Sequence, residues 1–172
     1  MLASKPINSL NFKTLCSDLD GTLLSTKSDV SDFTIAEINR IKNRMRIILV
    51  SARMPRAMTY LQRRLGIEKE PIICYNGALV LDGNNELSST NIEMCLLEQI
   101  YQLASEHSIK LGLYYKDEWY VGENTERIQK EIRYTKTKPL FRETSETLRD
   151  WKNRDIGAHK IMLMGTKNTA DT

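Results

Sequence analysis

The sequence predicts an α/β protein: a Rossmann-like parallel sheet followed by a second, α+β unit. Three observations lead there. Apolar, strand-like runs alternate with amphipathic helical patterns through the first half. That rhythm breaks near residue 83, after which helices alternate with extended segments that read as antiparallel partners. And two aspartates in "SDLDGT", Asp18 and Asp20, stand where the first strand should end, which is where open parallel sheets bind ligands.

Each element has its own signal. "FKTLCSDLD" opens with a short strand. "SDFTIAEINRIKNRM" is helical: Ser31 or Asp32 can cap it, and Ile35, Ile38 and Ile41 fall on one stripe. "RIILVS" is the continuous apolar run of a strand covered on both faces. In "PRAMTYLQRRLGI" Pro55 suits the first helical turn and Gly66 the end. "PIICYNG" is a third strand, halted at Asn76-Gly77. In "ALVLDGNNELSS" two extended pieces flank a turn at Asp82 to Asn85. A strong amphipathic helix follows in "NIEMCLLEQIYQLASEHS", then a hairpin in "KLGLYYKDEWYVG" turning near Lys116-Asp117. "TERIQKEIRYTK" and "SETLRDWKNR" are helical, and "AHKIMLMG" is a strand. We therefore expect one domain over residues 1–82 and a second over 83–172.

Composition narrows the function. The chain has 172 residues, 41% hydrophobic and 27% charged, with 25 basic and 22 acidic side chains. The +3 net charge is dispersed, which gives no reason to expect a nucleic-acid partner. No apolar run is long enough to span a bilayer, and the N-terminus has no signal-peptide core, so no membrane partner and a cytoplasmic location are expected. Cys16, Cys74 and Cys95 are widely spaced, as free thiols in a reducing compartment, and the two histidines have no zinc-ligand spacing.

The chemistry centres on Asp18 and Asp20. Two carboxylates this close repel, and both stay ionised only beside positive charge. A magnesium ion held by Asp18 and Asp20 meets that need and would also neutralise an incoming phosphate. Asp18 could then attack phosphorus, while Asp20 protonates the leaving oxygen and later activates water. Gly21 and Thr22 would offer backbone donors to the phosphate oxygens. A D-x-D-G-T pattern arises by chance in on the order of one chain in a thousand of this length, so a merely polar turn is the weaker reading.

"SDLDGTLL" resembles the first motif of the haloacid dehalogenase superfamily. "IILVSARMP" and "IICYNGALVLDGNNEL" resemble later stretches of its Cof-type phosphatases. The resemblance implies a parallel core with an inserted α+β cap, magnesium as cofactor, and a small phosphorylated metabolite as substrate. It makes Asp18 the nucleophile and a metal ligand, and Asp20 the acid/base, with the metal also on the Asp20 backbone carbonyl. Ser51 would hydrogen-bond the phosphoryl group; from local sequence it serves equally well as the N-cap of the helix at Pro55. Arg53 and Asn76 would face the same mouth. Ala52 stands where the family has glycine.

The family's two remaining motifs, a lysine and a Gly-Asp followed by Asn-Asp, are not found, and "DGNN" at Asp82 to Asn85 comes too early to serve. Lys160 is expected on a cap strand rather than as that lysine. The expectation is thus a core and cap incomplete at the C-terminus, weak or no activity from these residues, and an exposed sheet edge open to self-association. The alternative is an inactive relative that at most binds phosphorylated ligands. A phospho-accepting receiver domain fits less well, since it needs neither Gly21-Thr22 nor a second unit. Tyr114, Tyr115, Trp119 and Tyr120 either stack on a sugar or pack the hairpin; packing is the expected role.

Overall fold

The computed structural model describes residues 12–24 and 29–165; the N-terminal stretch read for a leader falls at residues 1–11, outside them. Strands β1 (Thr14–Asp18), β2 (Arg46–Val50) and β3 (Ile72–Cys74) run parallel, joined through helices α1 (Asp32–Ile41) and α2 (Pro55–Leu65). The caps follow the sequence: Ser31 Oγ accepts the Thr34 N–H at 3.1 Å, Pro55 opens α2, and Gly66 closes it at φ +65°. The chain then turns back through β4 (Leu79–Asp82) and β5 (Asn85–Ser89), both antiparallel to their neighbours, in the order β1-β2-β3-β4-β5. The first sheet therefore runs on through Ser89.

The two faces of this sheet differ. Both crossovers step the same way along the sheet, and right-handed connections then put both helices on one face. Ile47, Leu49 and Ile72 are buried there with Met58, Leu61 and Leu65 of α2 and Ile38 of α1. On the other face Cys16 is exposed, and Ile48, Val50 and Ile73 are only half-buried. The apolar run of β2 suggested cover on both faces; among the described residues helices cover one. β1 is also an edge strand, paired only to β2 among the described residues.

The second sheet has the order β8-β7-β6-β9, from β6 (Lys110–Tyr115), β7 (Glu118–Val121), β8 (Leu140–Phe141) and β9 (Lys160–Met164). Helices α3 (Met94–Glu106), α4 (Glu126–Thr135) and α5 (Thr144–Asn153) accompany it. β6 and β7 form the expected hairpin. β8 departs from antiparallel pairing: it lies parallel to β7, because α4 carries the chain back across the sheet before it. Alternation along β6 separates two cores. Leu111 and Leu113 pack with Leu97, Leu148 and Trp151 of the helical layer. Tyr114 points the other way, with Trp119, Val121, Met162 and Ile128 of α4, and this set is continuous with the core of the first sheet.

The hairpin tip docks on the first sheet. Tyr75 Oη donates to the Lys116 carbonyl at 2.6 Å. Asp117 accepts the Arg56 N–H at 2.6 Å, and so caps α2, whose own N-cap residue, Met54, offers no side-chain acceptor. His159 stacks on Tyr75 with ring centroids 5.5 Å apart, and its Nδ1 accepts the Lys116 N–H at 3.2 Å. That acceptor role places its proton on Nε2, 3.0 Å from Ser89 Oγ. A second tie joins Lys136, just past α4, to Asp29 and Tyr60, its Nζ lying 2.6 and 2.7 Å from their oxygens.

Two outcomes follow from the docked tip. Asp117→Ala removes a cap acceptor and should cost about 1 kcal/mol in urea unfolding, with faster amide exchange at Arg56. Burial holds the His159 pKa below its ordinary 6.5, so as pH falls the unfolded chain binds this proton first. Stability should therefore decline as pH drops below about 6.5, and His159→Gln should flatten that decline in a series of thermal melts.

Candidate active site

The site begins with a register. Asp18 pairs with Val50 across the parallel β1–β2 ladder, so Ser51 stands one residue beyond it on the neighbouring strand. After Asp18 the chain leaves the strand in a tight turn anchored by buried Leu19, whose carbonyl accepts the Leu24 N–H at 2.9 Å. Gly21 makes the turn possible at φ +82°, a conformation that costs other residues strain. Thr22 Oγ1 donates to Asp18 Oδ2 at 3.3 Å, and the Asp18 carboxylate is otherwise open at the surface.

Asp20 is held differently. Arg53 Nε and Nη2 donate to its Oδ2 and Oδ1 at 3.0 and 2.5 Å, a two-pronged contact. The guanidinium is 7% exposed and the carboxylate 58%. The positive charge that two neighbouring carboxylates require is thus supplied to Asp20 by the protein itself. Sequence reasoning placed magnesium there and left Arg53 with an unspecific role at the mouth.

Ser51 is buried, and its Oγ accepts the Arg53 N–H at 3.3 Å. It is not the N-cap of α2, which is Met54. Its carbonyl accepts the Asn76 N–H at 3.0 Å, and the Arg53 carbonyl accepts the Tyr75 N–H at 3.3 Å. Backbone bonds therefore tie the loop after β3 to the loop after β2. Tyr75 and Asn76 sit at φ +53° and +55°, unusual for side-chain-bearing residues and held here by those bonds and by the Tyr75–Lys116 contact. Cys74, beneath them, has its thiol pushed up to about 12 by burial and by the charge of Asp117, which leaves it unreactive.

The structure thus gathers Asp18, Asp20, Gly21 and Thr22 on one turn, with Ser51, Arg53 and Asn76 on the two adjoining loops. It adds Lys160, whose ammonium donates to the Ala52 carbonyl at 3.4 Å from β9. Nothing in the local sequence signals that contact, which exists only because the second sheet folds over the first. The four hairpin aromatics serve as packing. Tyr114 and Trp119 are buried and stacked at 5.3 Å, while Tyr115 and Tyr120 lie against Trp151.

For a hard cation the fit is partial. The open Asp18 carboxylate suits one ligand position, while both Asp20 side-chain oxygens are engaged by Arg53, leaving its backbone carbonyl. Among the described residues no group of three acidic, histidine or cysteine side chains converges on a common point.

Comparison with known proteins decides the family. The model of the haloacid dehalogenase-like hydrolases matches residues 15–172. The chain belongs to that family. A Buchnera aphidicola protein named "Putative phosphatase" is 31% identical over 113 residues, 64% of this chain and 42% of the relative. A Thermotoga maritima crystal structure superposes with a TM-score of 0.76 at 21% identity, covering 93% of this chain and 59% of that one. A subclass IIB sugar phosphatase of the same superfamily superposes at 0.69 and 16%, covering 92% and 61%. The chain spans less than half the length of the curated relatives it matches, 42% and 43%.

Arg53→Lys keeps the charge but cannot reproduce the fork. Because Asp20 is largely exposed, we expect a modest loss, about 1 kcal/mol in chemical unfolding.

Proposed function

We propose that this chain carries the nucleophile side of a magnesium-dependent phosphatase acting on small phosphorylated metabolites. The observation that carries the reading is the Asp18-Leu19-Asp20-Gly21-Thr22 turn at the end of β1, level with Ser51 on the adjacent parallel strand. Strand ends of this kind are where parallel sheets bind ligands. Family membership and a sugar phosphatase among the structural neighbours support it. The helices and sheet that follow β5 then act as a cap over the mouth.

In this reading an Asp18 oxygen attacks phosphorus and the bond to the ester oxygen breaks, leaving an aspartyl phosphate. Asp20 gives a proton to the departing oxygen, then takes one from the water that releases inorganic phosphate. Arg53 fixes the direction of the Asp20 carboxylate. Ser51 and the backbone N–H groups of the Gly21-Thr22 turn hold phosphoryl oxygens. Magnesium, bound through the Asp18 carboxylate and the Asp20 carbonyl, would offset the negative charge of the phosphoryl group. With one open carboxylate for the metal, turnover by these 172 residues should be slow.

The test is trapping. With magnesium and radiolabelled acetyl phosphate, the chain should take up a hydroxylamine-labile label. Asp18→Asn should abolish it, and Asp20→Asn should lengthen its lifetime by about tenfold or more, since water loses its base. Labelling that survives Asp18→Asn would defeat the assignment.

A further inference from the structure

Lys160 is a charged feature of the mouth that the reaction above leaves unused. It opens β9 opposite Tyr114 of β6, so its side chain leaves the second sheet on the Tyr114 face, toward α4 and the first sheet. Its ammonium lies 4.9 Å from the Tyr114 ring centre and reaches the carbonyl of Ala52, the residue between Ser51 and Arg53. No carboxylate lies within ion-pair distance of it among the described residues. Its electrostatic neighbours are Glu131 and Arg127, one turn apart on α4, and Arg53 and Asp20 at the mouth.

Three facts set this lysine apart. First, it is half-buried, and the loss of solvent lowers its pKa, so the ammonium stands in a position where charge is costly. Second, Arg53 has an ion-pair partner in Asp20, whereas Lys160 has none among the described residues and donates only to the Ala52 carbonyl. Third, the Tyr114 hydroxyl is buried without a hydrogen-bond partner on the same face. Glu131 and Asp20 only partly balance the three cations Lys160, Arg53 and Arg127, and the Lys160 ammonium keeps hydrogens that an anionic group would accept. Its position is informative too. It reaches the loop that carries Arg53, the partner of Asp20, so it stands on the side of the group that protonates the leaving oxygen.

Resting on the phosphatase reading, we infer that Lys160 is a specificity residue that binds a second anionic group on the leaving alcohol. The preferred substrates are then phosphate monoesters that also carry a carboxylate or another phosphate. A charged partner in a partly desolvated site discriminates through loss of affinity when it is missing.

The experiment is calorimetric binding to the full 172-residue chain with magnesium, using inorganic phosphate, sorbitol 6-phosphate and 6-phosphogluconate. The two esters are open chains that differ in one group, a hydroxymethyl or a carboxylate at the far end. The chain should bind 6-phosphogluconate about tenfold more tightly than sorbitol 6-phosphate. Lys160→Met should bring the two together with phosphate binding unchanged, and Lys160→Arg should keep the preference. Equal affinities in the unaltered chain overturn the inference whatever the variants do, as does a preference that survives Lys160→Met. Failure to bind phosphate or either ester overturns the phosphatase reading and this inference together.

Discussion

Two carboxylates on one tight turn are an electrostatic liability, and the Arg53–Asp20 contact resolves it. Arg53 is nearly buried, so its guanidinium would be expensive without a partner; Asp20 is the partner, and the fork geometry gives both a single orientation. The consequences spread outward. With Asp20 turned toward the β2 loop, Asp18 is left as the open carboxylate of the pair. The Arg53 main chain meanwhile anchors its surroundings, its N–H on Ser51 Oγ and its carbonyl on the Tyr75 N–H. One side chain thus sets the direction of the Asp20 carboxylate while its own backbone joins the two neighbouring loops.

The second sheet depends on those loops in turn. Tyr75 is strained, and its ring and hydroxyl are the platform on which His159 stacks and the Lys116 carbonyl lands. Asp117 completes α2 from a residue 61 positions away in the chain. Each bond is modest, on the order of 1 kcal/mol net. Together with the shared core around Tyr114 and Trp119 they make the relative placement of the two sheets a property of many small contacts.

Much of this was legible in the sequence. The parallel order, the caps at Ser31, Pro55 and Gly66, the β4–β5 and β6–β7 hairpins and the D-x-D-G-T turn all have local causes. What was not legible is long-range. The continuous apolar run of β2 reads as doubly covered, yet which face receives helices depends on the direction of two crossovers. The pairing of Arg53 with Asp20 spans 33 residues. Lys160 meets Ala52 across 108. β8 is two residues long and has no periodicity to read. Local patterns carry none of these, because each is decided by which segments the tertiary fold brings together.

The position of β1 has a further consequence. The strand that leads into the Asp18–Thr22 turn is bonded on one side only among the described residues, and its outward face is bare at Thr14, Cys16 and Asp18. A strand held by a single ladder opens at lower free energy than one held by two. The precision with which Asp18 meets its neighbours is therefore governed less by the well-packed helical side of the molecule than by how firmly this outer strand is clamped. Any contact that seals its free edge would steady the Asp18–Thr22 turn without touching it.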